Sequence, residues 1–210
     1  MAAKRKGYFI VLEGPDRTGK STQSRLLARF LSARGCRVLH TREPGGTAFA
    51  EAIRKILLYP RHDVHPLSEI LLYEAARAQH THEKILPALK AGVTVLCERY
   101  TLSTTAYQGY GRGLDLKSVA VLNKIATSGL QPDFTIVFDM PDSLFVSRGR
   151  KLKSDRLERA SALFRLRVRR AYRLLAAKLP RTALVRANRS PEEVQQELRA
   201  KIARALGLRP

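Results

Sequence analysis

Cysteine, tryptophan, acidic residues and long apolar runs are all scarce in this chain. It has no tryptophan and only two cysteines in 210 residues, Cys36 and Cys97. Two cysteines are too few for a disulfide framework or a four-cysteine zinc site, and they favour a reducing compartment. The basic start and the apolar run Tyr8–Leu12 imitate a signal peptide, but the run ends at Glu13 without a small-residue cleavage site. No run approaches the roughly 20 apolar residues of a membrane helix. We therefore expect a cytoplasmic protein without a membrane segment.

Acidic residues number 18 against 39 basic ones, which gives a formal net charge of +21. The excess is uneven, because residues 145–210 hold 19 basic and only five acidic side chains. Such a charge is typical of proteins that bind nucleic acids or other polyanions. Aromatic residues are few in the basic region, and no recognisable nucleic-acid motif occurs there. The charge alone therefore leaves open an enzyme with anionic substrates and a basic module that docks on nucleic acid.

Short apolar segments alternate with longer amphipathic ones along the chain. The apolar segments predict strands at Tyr8–Leu12, Cys36–Thr41, Val93–Cys97, Phe134–Phe138 and Ala183–Arg186. The amphipathic segments predict helices at Lys20–Ala33, Thr47–Leu58, Pro66–Ala91 (with a kink or break at Pro87), Leu116–Ser128 and from Pro191 onward. Alternating strands and helices form parallel sheets with right-handed crossovers. We predict an α/β fold in which helices flank a five-stranded parallel sheet, built as a single domain over residues 1–210.

A phosphate-binding loop is predicted directly after the first strand, where Gly14–Ser21 matches G-x-x-x-x-G-K-[ST]. Its glycines allow backbone N–H groups to surround phosphate oxygens, Lys20 would bridge two phosphates, and Ser21 would be a ligand of Mg²⁺. The predicted nucleotide site comprises Gly14, Pro15, Asp16, Arg17, Thr18, Gly19, Lys20, Ser21 and Thr22. Kinases, GTPases and motor ATPases share this loop, but the base-recognising N-K-x-D of GTPases is missing from the sequence.

Motifs after the second and third strands predict an acceptor site at the same sheet edge. Arg42 in TREPGGT and Arg99 in ERY are suited to holding a phosphate, and Glu98 is suited to Mg²⁺ or to a base role. The stretch 103–112, STTAYQGYGR, offers small hydroxyls, a tyrosine and an amide for recognising a base and a sugar. Each motif also has a structural alternative, namely a helix-capping loop at Thr47 and an ion pair between Glu98 and Arg99.

Together, the motifs resemble those of the thymidylate kinase family. LEGPDRTGKSTQ, TREPGGT, LLYEAARAQH, ERYTLSTTAYQGYGR and DRLE occur in the family's order over about residues 8–160. The resemblance implies a three-layer P-loop kinase fold with a short basic lid at about 143–155, a homodimer, and Mg²⁺-assisted transfer of the γ-phosphate of ATP to thymidine monophosphate (dTMP). It also implies acceptor contacts by Asp16 (sugar 3′ side), Arg42 and Arg99 (phosphate), Tyr73 (stacking on the base), Arg77 (thymine carbonyl), Ser103 and Thr104 (base border), Tyr107 (sugar 2′ side) and Gln108.

The resemblance places catalytic charge in both the loop and the lid. Arg17 occupies the loop position from which one group of the family supplies its arginine, and we expect Arg148 and Arg150 of the lid to assist it. Lys20, Glu98 and Arg99 complete the predicted catalytic set, with Ser21 and Glu98 as the metal site.

Two departures from the family's sequence pattern leave open a phosphate acceptor other than dTMP. Glu98 stands where the family usually has aspartate, and Tyr73 where it usually has phenylalanine. Deoxynucleoside kinases often carry glutamate-arginine at this place, so a deoxynucleoside or another nucleoside monophosphate remains an alternative acceptor. Individually, Tyr73 and Tyr107 could be core aromatics, and Arg77 could be a solvated charge.

Overall fold

A computed structural model describes residues 7–149 and 155–207. Its centre is one sheet of five parallel strands in the order β2-β3-β1-β4-β5. The strands are β1 Phe9–Glu13, β2 Val38–Arg42, β3 Thr94–Glu98, β4 Phe134–Asp139 and β5 Thr182–Arg186. The predicted five-stranded parallel sheet is therefore confirmed, and every predicted strand end lies within two residues of the observed one.

The helices are α1 Lys20–Ala33, α2 Ala48–Leu58, α3 Pro66–His80, α4 Leu86–Lys90, α5 Thr101–Thr104, α6 Leu116–Thr127, α7 Asp142–Gly149, α8 Ala162–Lys178 and α9 Pro191–Leu206. Two wider π-helical turns, Thr81–Ile85 and Thr105–Gly111, continue α3 and α5. The predicted break at Pro87 lies instead at the first π-turn. Pro87 falls in the first turn of α4, directly after this π-turn.

The two faces of the sheet bury different side chains of the same strands, because successive strand residues face opposite sides. Ile10 and Leu12 of β1 pack with Leu27 of α1 and Leu198 of α9. On the other face, Val11 packs near the first π-turn and β3, and Val137 of β4 packs against α8. Helices on both sides of the sheet give the three layers that the fold class requires.

The phosphate-binding loop leaves the carboxyl end of β1, between the ends of β3 and β4. Gly14 begins this loop with φ at 127°. A Cβ atom at Gly14 would lie 2.4 Å from the carbonyl oxygen of Phe138 on β4. Glycine is therefore required here both by the backbone conformation and by the close approach to β4.

Candidate nucleotide and acceptor site

Lys20 begins α1 and folds back over the loop that precedes it. Its Nζ donates to the carbonyl oxygens of Gly14 at 2.9 Å and Pro15 at 2.6 Å. Burial, with the positive charge of Arg99, lowers the pKa of Lys20 to about 7. An anion placed on the loop would favour the charged ammonium group. The lysine therefore lies where the sequence predicts a phosphate ligand.

Ser21 and Glu98 lie together beside the loop. Glu98 ends β3, and its carboxylate accepts hydrogen bonds from Ser21 Oγ and Ser24 Oγ, both at 2.6 Å, and contacts His40 Nε2 at 3.0 Å. Burial raises the pKa of Glu98, but the hydrogen bonds from His40, Ser21 and Ser24 outweigh it and lower the pKa to about 2. A hydroxyl and an ionised carboxylate next to a phosphate loop are the oxygen donors that Mg²⁺ prefers, so the predicted metal pair fits this ion.

Arg99 follows Glu98 in the left-handed region, with φ at 69°, which turns it away from that glutamate. Its guanidinium pairs with Asp16 and donates to Ser103 Oγ at 3.1 Å. The structural alternative of a Glu98–Arg99 ion pair is therefore wrong among the described residues, since Glu98 pairs with His40 and Arg99 with Asp16.

Asp16 links Arg99 to Tyr107, because the Tyr107 hydroxyl donates to its second carboxylate oxygen at 2.8 Å. Burial raises the pKa of Asp16, but the charges of Arg99 and Lys20 and the Tyr107 hydrogen bond lower it to about 2. Tyr107 is buried, as expected of a core aromatic, yet its hydroxyl forms part of this polar cluster. The ionised carboxylate of Asp16 and the hydroxyl of Tyr107 therefore lie in one polar cluster with Arg99.

A cleft opens beside this cluster. Seven of the nine predicted acceptor residues line it: Asp16, Tyr73, Arg99, Ser103, Thr104, Tyr107 and Gln108. Asp155, at the end of the predicted lid, and Leu157, which follows the lid, line it too. We call this cleft the base cavity. The two predicted residues outside its lining are Arg77 and Arg42.

Arg77 lies behind the base cavity with 2% of its surface exposed, so the alternative of a solvated charge is wrong. Its guanidinium forms ion pairs with Glu43 and Glu74 and donates to Thr104 Oγ1 at 2.7 Å. It also donates to the carbonyl oxygen of Tyr100 at 2.9 Å. Arg77 therefore touches the lining through Thr104, and its predicted contact with a thymine carbonyl stays a prediction.

Arg42 lines a second, more open groove, which also contains Arg17, Lys20, Ser21, Glu98 and Arg99. We call it the phosphate groove. The side chain of Arg42 is 51% exposed and pairs with Glu51 of α2 at 3.0 Å. Its position at the end of β2 agrees with the predicted sheet edge. The cap predicted at Thr47 is confirmed as well, because its hydroxyl accepts from the N–H of Ala50.

Arg54 lines both the base cavity and the phosphate groove, and sequence reasoning missed it. It donates to the carbonyl oxygen of Pro44 at 2.8 Å. In the sequence it looks like one more charge on an amphipathic helix. The available signal was its spacing, since it follows the cap residue Thr47 by two helical turns and therefore shares that residue's face.

Arg17 connects the loop to the predicted lid. Its Nη2 lies 2.6 Å from Glu158 Oε2, its Nη1 donates to the carbonyl oxygen of Phe145 at 3.2 Å, and its guanidinium carbon is 4.2 Å from the centre of the Phe145 ring. Arg148 of α7 donates to the backbone oxygen of Arg17 at 3.0 Å. The loop and lid arginines thus meet, while Arg150 lies outside the described residues.

Part of the basic excess is neutralised within the described chain. Arg169 and Arg173 of α8 both pair with Asp139 at the end of β4, and Arg156 pairs with Glu69 of α3. In the described ranges, no helix has the length and apolar character needed to cross a membrane.

Comparisons with known proteins agree with the geometry. A family model described as "Thymidylate kinase" matches residues 12–198. The chain belongs to the thymidylate kinase family. It is 49% identical over 181 residues to a thymidylate kinase of Pelotomaculum thermopropionicum, covering 84% of this chain and 83% of that relative. It is 45% identical over 195 residues to one of Carboxydothermus hydrogenoformans, covering 92% and 96%.

A solved structure gives the same result for the fold. The thymidylate kinase of Ehrlichia chaffeensis superposes with a TM-score of 0.79 at 32% identity, over 93% of this chain and 98% of that one. The family named from the motifs is therefore confirmed, as is the P-loop kinase fold. Neither the deoxynucleoside kinase alternative nor the nucleic-acid module is favoured by these relatives.

Proposed function

We propose that the protein transfers the γ-phosphate of ATP to dTMP and so forms thymidine diphosphate. The observation that carries the proposal is the junction of two sites at one sheet edge. A phosphate loop with Lys20 and Ser21 opens into the phosphate groove, and the groove shares Asp16, Arg54 and Arg99 with a base cavity. A donor on the loop and an acceptor in the cavity would bring their phosphates together between these residues.

In this proposal, the acceptor phosphate lies between Arg42, Arg54 and Arg99, and the base lies near Tyr73, Thr104 and Gln108. The nucleophile is already an anionic oxygen, so no strong general base is needed and catalysis consists of positioning and charge neutralisation. Lys20 and Arg17 stabilise charge on the transferred group, and Arg148 holds the backbone of Arg17 in place. Arg150 is assigned to the same lid on the resemblance alone.

Ser21 and Glu98 would hold Mg²⁺, which supplies positive charge to the donor phosphates when bound. Glu98 extends one methylene further than the family's usual aspartate. His40 Nε2 and Ser24 Oγ both contact its Oε1, at 3.0 and 2.6 Å, and Ser21 Oγ donates to its Oε2 at 2.6 Å. These contacts fix the longer side chain against Ser21.

A panel of acceptors tests the proposal. Purified protein with ATP and Mg²⁺ is assayed against dTMP, dUMP, dCMP, dAMP, dGMP and thymidine. We expect dTMP to have the highest kcat/KM, and thymidine to be inactive because it lacks the acceptor phosphate. Equal rates with all monophosphates, or faster phosphorylation of thymidine, would sink the assignment.

We further propose that the whole chain acts as one domain, with a lid at about 143–155, and that it works as a homodimer. The dimer is supported by apolar side chains that three neighbouring helices expose: Phe49 and Ile56 on α2, Leu67 and Leu71 on α3, and Val121 and Ile125 on α6. Each pair recurs at helical spacing, which gives a stripe rather than scattered residues. Sedimentation equilibrium should give twice the chain mass; a monomer at micromolar concentration would refute the dimer.

The proposed compartment is the cytoplasm. Both Cys36 and Cys97 are free thiols, which reducing compartments maintain. Burial raises the pKa of the Cys97 thiol well above its usual value, so that this cysteine is unreactive. Localisation of a tagged full-length protein in its own cells would test this assignment.

A further inference from the structure

Glu69 of α3 is a fully buried carboxylate to which the known chemistry assigns no role. Its exposed fraction is 0%, and three side chains surround it. Arg112 and Arg156 form ion pairs with it at 3.0 and 2.6 Å, and Gln108 Nε2 donates to it at 2.7 Å. The two arginines come from separate segments of the chain, one directly after the second π-turn and one directly after the predicted lid. Glu69 therefore fixes several segments at one point.

The carboxylate is ionised at neutral pH. Burial alone raises the pKa of Glu69, but the hydrogen bonds from Arg112 and Gln108 and the charges of both arginines bring it below its usual value. An ionised carboxylate has no proton to donate and accepts hydrogen bonds only. Whatever group of Gln108 faces Glu69 must therefore be its NH₂ group.

This constraint decides what Gln108 offers to the base cavity. An amide has a donor end and an acceptor end, and either orientation fits the same side-chain shape. Because the NH₂ end is held by Glu69, the carbonyl oxygen Oε1 is the end left for the cavity that Gln108 lines. Among the described residues, no hydrogen bond is made to this oxygen. The cavity thus contains an acceptor without a hydrogen-bond partner among the described residues.

Thr104, one helical turn earlier, offers the complementary group. Its Oγ1 accepts from Arg77 Nη1 at 2.7 Å, so its own proton is left for another acceptor. Thr104 lines the same cavity. An acceptor and a donor side by side match a base edge that carries an N–H group next to a carbonyl. Thymine and uracil have this edge at N3 and O4, whereas cytosine presents an acceptor and an amine in the same places.

We propose that Glu69 is a positioning residue for base selection: it holds the Gln108 amide so that the cavity accepts thymine or uracil and rejects cytosine. The inference rests on the proposed function, since it concerns the acceptor of that reaction. Glu69 itself need not touch the substrate. Its effect passes through the orientation of one amide.

The test compares acceptor discrimination, the ratio of kcat/KM for dTMP to that for dCMP, in the wild type and in Glu69→Gln. In the variant, residue 69 can offer either its oxygen or its NH₂ group, so Gln108 is free to turn. We expect the ratio to fall by about 10-fold or more, mainly through better use of dCMP, because an unpaired buried polar group then no longer opposes cytosine. The dTMP analogue methylated at N3 should be a poor acceptor for both proteins, by about 100-fold relative to dTMP.

Arg112→Gln is the matched control, because it weakens the same cluster without freeing Gln108. Its discrimination ratio should stay within about twofold of the wild-type ratio, because a loss of stability alone does not change how Gln108 is oriented. Should Glu69→Gln fail to fold, Glu69→Asp takes its place, since it keeps the charge between the arginines but withdraws it from Gln108. The same loss of discrimination is expected.

The outcomes separate the inference from the function on which it rests. A wild type that does not prefer dTMP contradicts the proposed function. A wild type that prefers dTMP, together with a folded Glu69 variant of unchanged discrimination, overturns the role of Glu69 alone. Full use of the N3-methyl analogue by the wild type would overturn it as well, because the Gln108 oxygen would then have no N–H group to recognise.

Discussion

The base cavity and the phosphate groove share a border but handle charge differently. Around the cavity, arginines are matched by buried carboxylates: Arg77 pairs with Glu43 and Glu74, and Arg112 and Arg156 pair with Glu69. In the groove, Arg17, Arg42 and Arg99 are also paired with carboxylates. Lys20 and Arg54, however, donate to neutral carbonyl oxygens. The cavity is electrically compensated before any ligand arrives, and the groove retains an excess of positive charge.

The difference corresponds to what each region would bind. A base is neutral and distinguished by the direction of its hydrogen bonds, so fixed, compensated charges keep donors and acceptors in place. Phosphates are anions, so a groove with under-compensated cations attracts them and is stabilised by their charge. Removing a charged side chain beside the cavity should therefore affect the free energy of unfolding and the selectivity for the base. Removing one from the groove should affect nucleotide binding and kcat.

The largest expected effect is on the groove side. Arg17→Ala should lower kcat by about 10³-fold, because an arginine at the transferred phosphate stabilises charge that develops in the transition state. Steady-state kinetics with saturating dTMP measures it. Arg170→Ala, an exposed arginine of α8, serves as the control and should retain the wild-type rate. A near-normal kcat for Arg17→Ala would transfer the role to the lid arginines.

On the cavity side, the effect should be on folding. Arg77→Met leaves Glu43 and Glu74 buried without their cation and should lower the free energy of unfolding by about 3–5 kcal/mol. Urea denaturation measures it. Arg42→Met removes an exposed arginine of an ion pair and should cost at most about 1 kcal/mol. Similar losses of unfolding free energy in Arg77→Met and Arg42→Met would contradict the proposed difference between the cavity and the groove.

A residue on the border should show a binding effect. Arg54→Ala should raise the KM for dTMP by about 10- to 100-fold with a smaller change in kcat, since a hydrogen bond to a charged group is worth about 1.5–3 kcal/mol. Lys55→Ala is the matched control, because it removes the same charge from the exposed face of the same helix. An unchanged KM for Arg54→Ala would exclude this arginine from the acceptor phosphate site.

The smallest expected effect is a pH dependence of ATP binding. The pKa of Lys20 is lowered to about 7 in the free protein, so the side chain loses its proton as the pH rises through this value. ATP requires the charged form, so its affinity should be constant up to about pH 6, fall about twofold by pH 7 and fall a further three- to tenfold between pH 7 and 8. Calorimetry should also show proton uptake near pH 7.5. Lys20→Arg, which does not titrate there, should abolish both the pH dependence and the uptake.

Much of the groove was predictable from sequence because contiguous motifs dictate it. The motif Gly14–Ser21 between a strand and a helix specifies the backbone of a phosphate-binding loop, so the positions of Lys20 and Ser21 follow from their spacing. The cavity was harder, because its charges are matched across distant segments. Glu69 and Gln108 lie 39 residues apart, and the sequence offers no spacing rule that connects them. The burial of Arg77 was equally hard to predict. Helical spacing relates it to Glu74, but nothing in its own helix indicates that it pairs with Glu43, which lies in a distant turn.

Calorimetric binding of dTMP, thymidine and deoxycytidine to the wild type, each at about 50 and 300 mM salt, tests the division most directly. We expect thymidine to bind more weakly than dTMP but more tightly than deoxycytidine, and salt to weaken the binding of dTMP alone. Equal affinity for thymidine and deoxycytidine, or an equal effect of salt on dTMP and thymidine, would contradict the assignment of base recognition to the cavity and phosphate recognition to the groove.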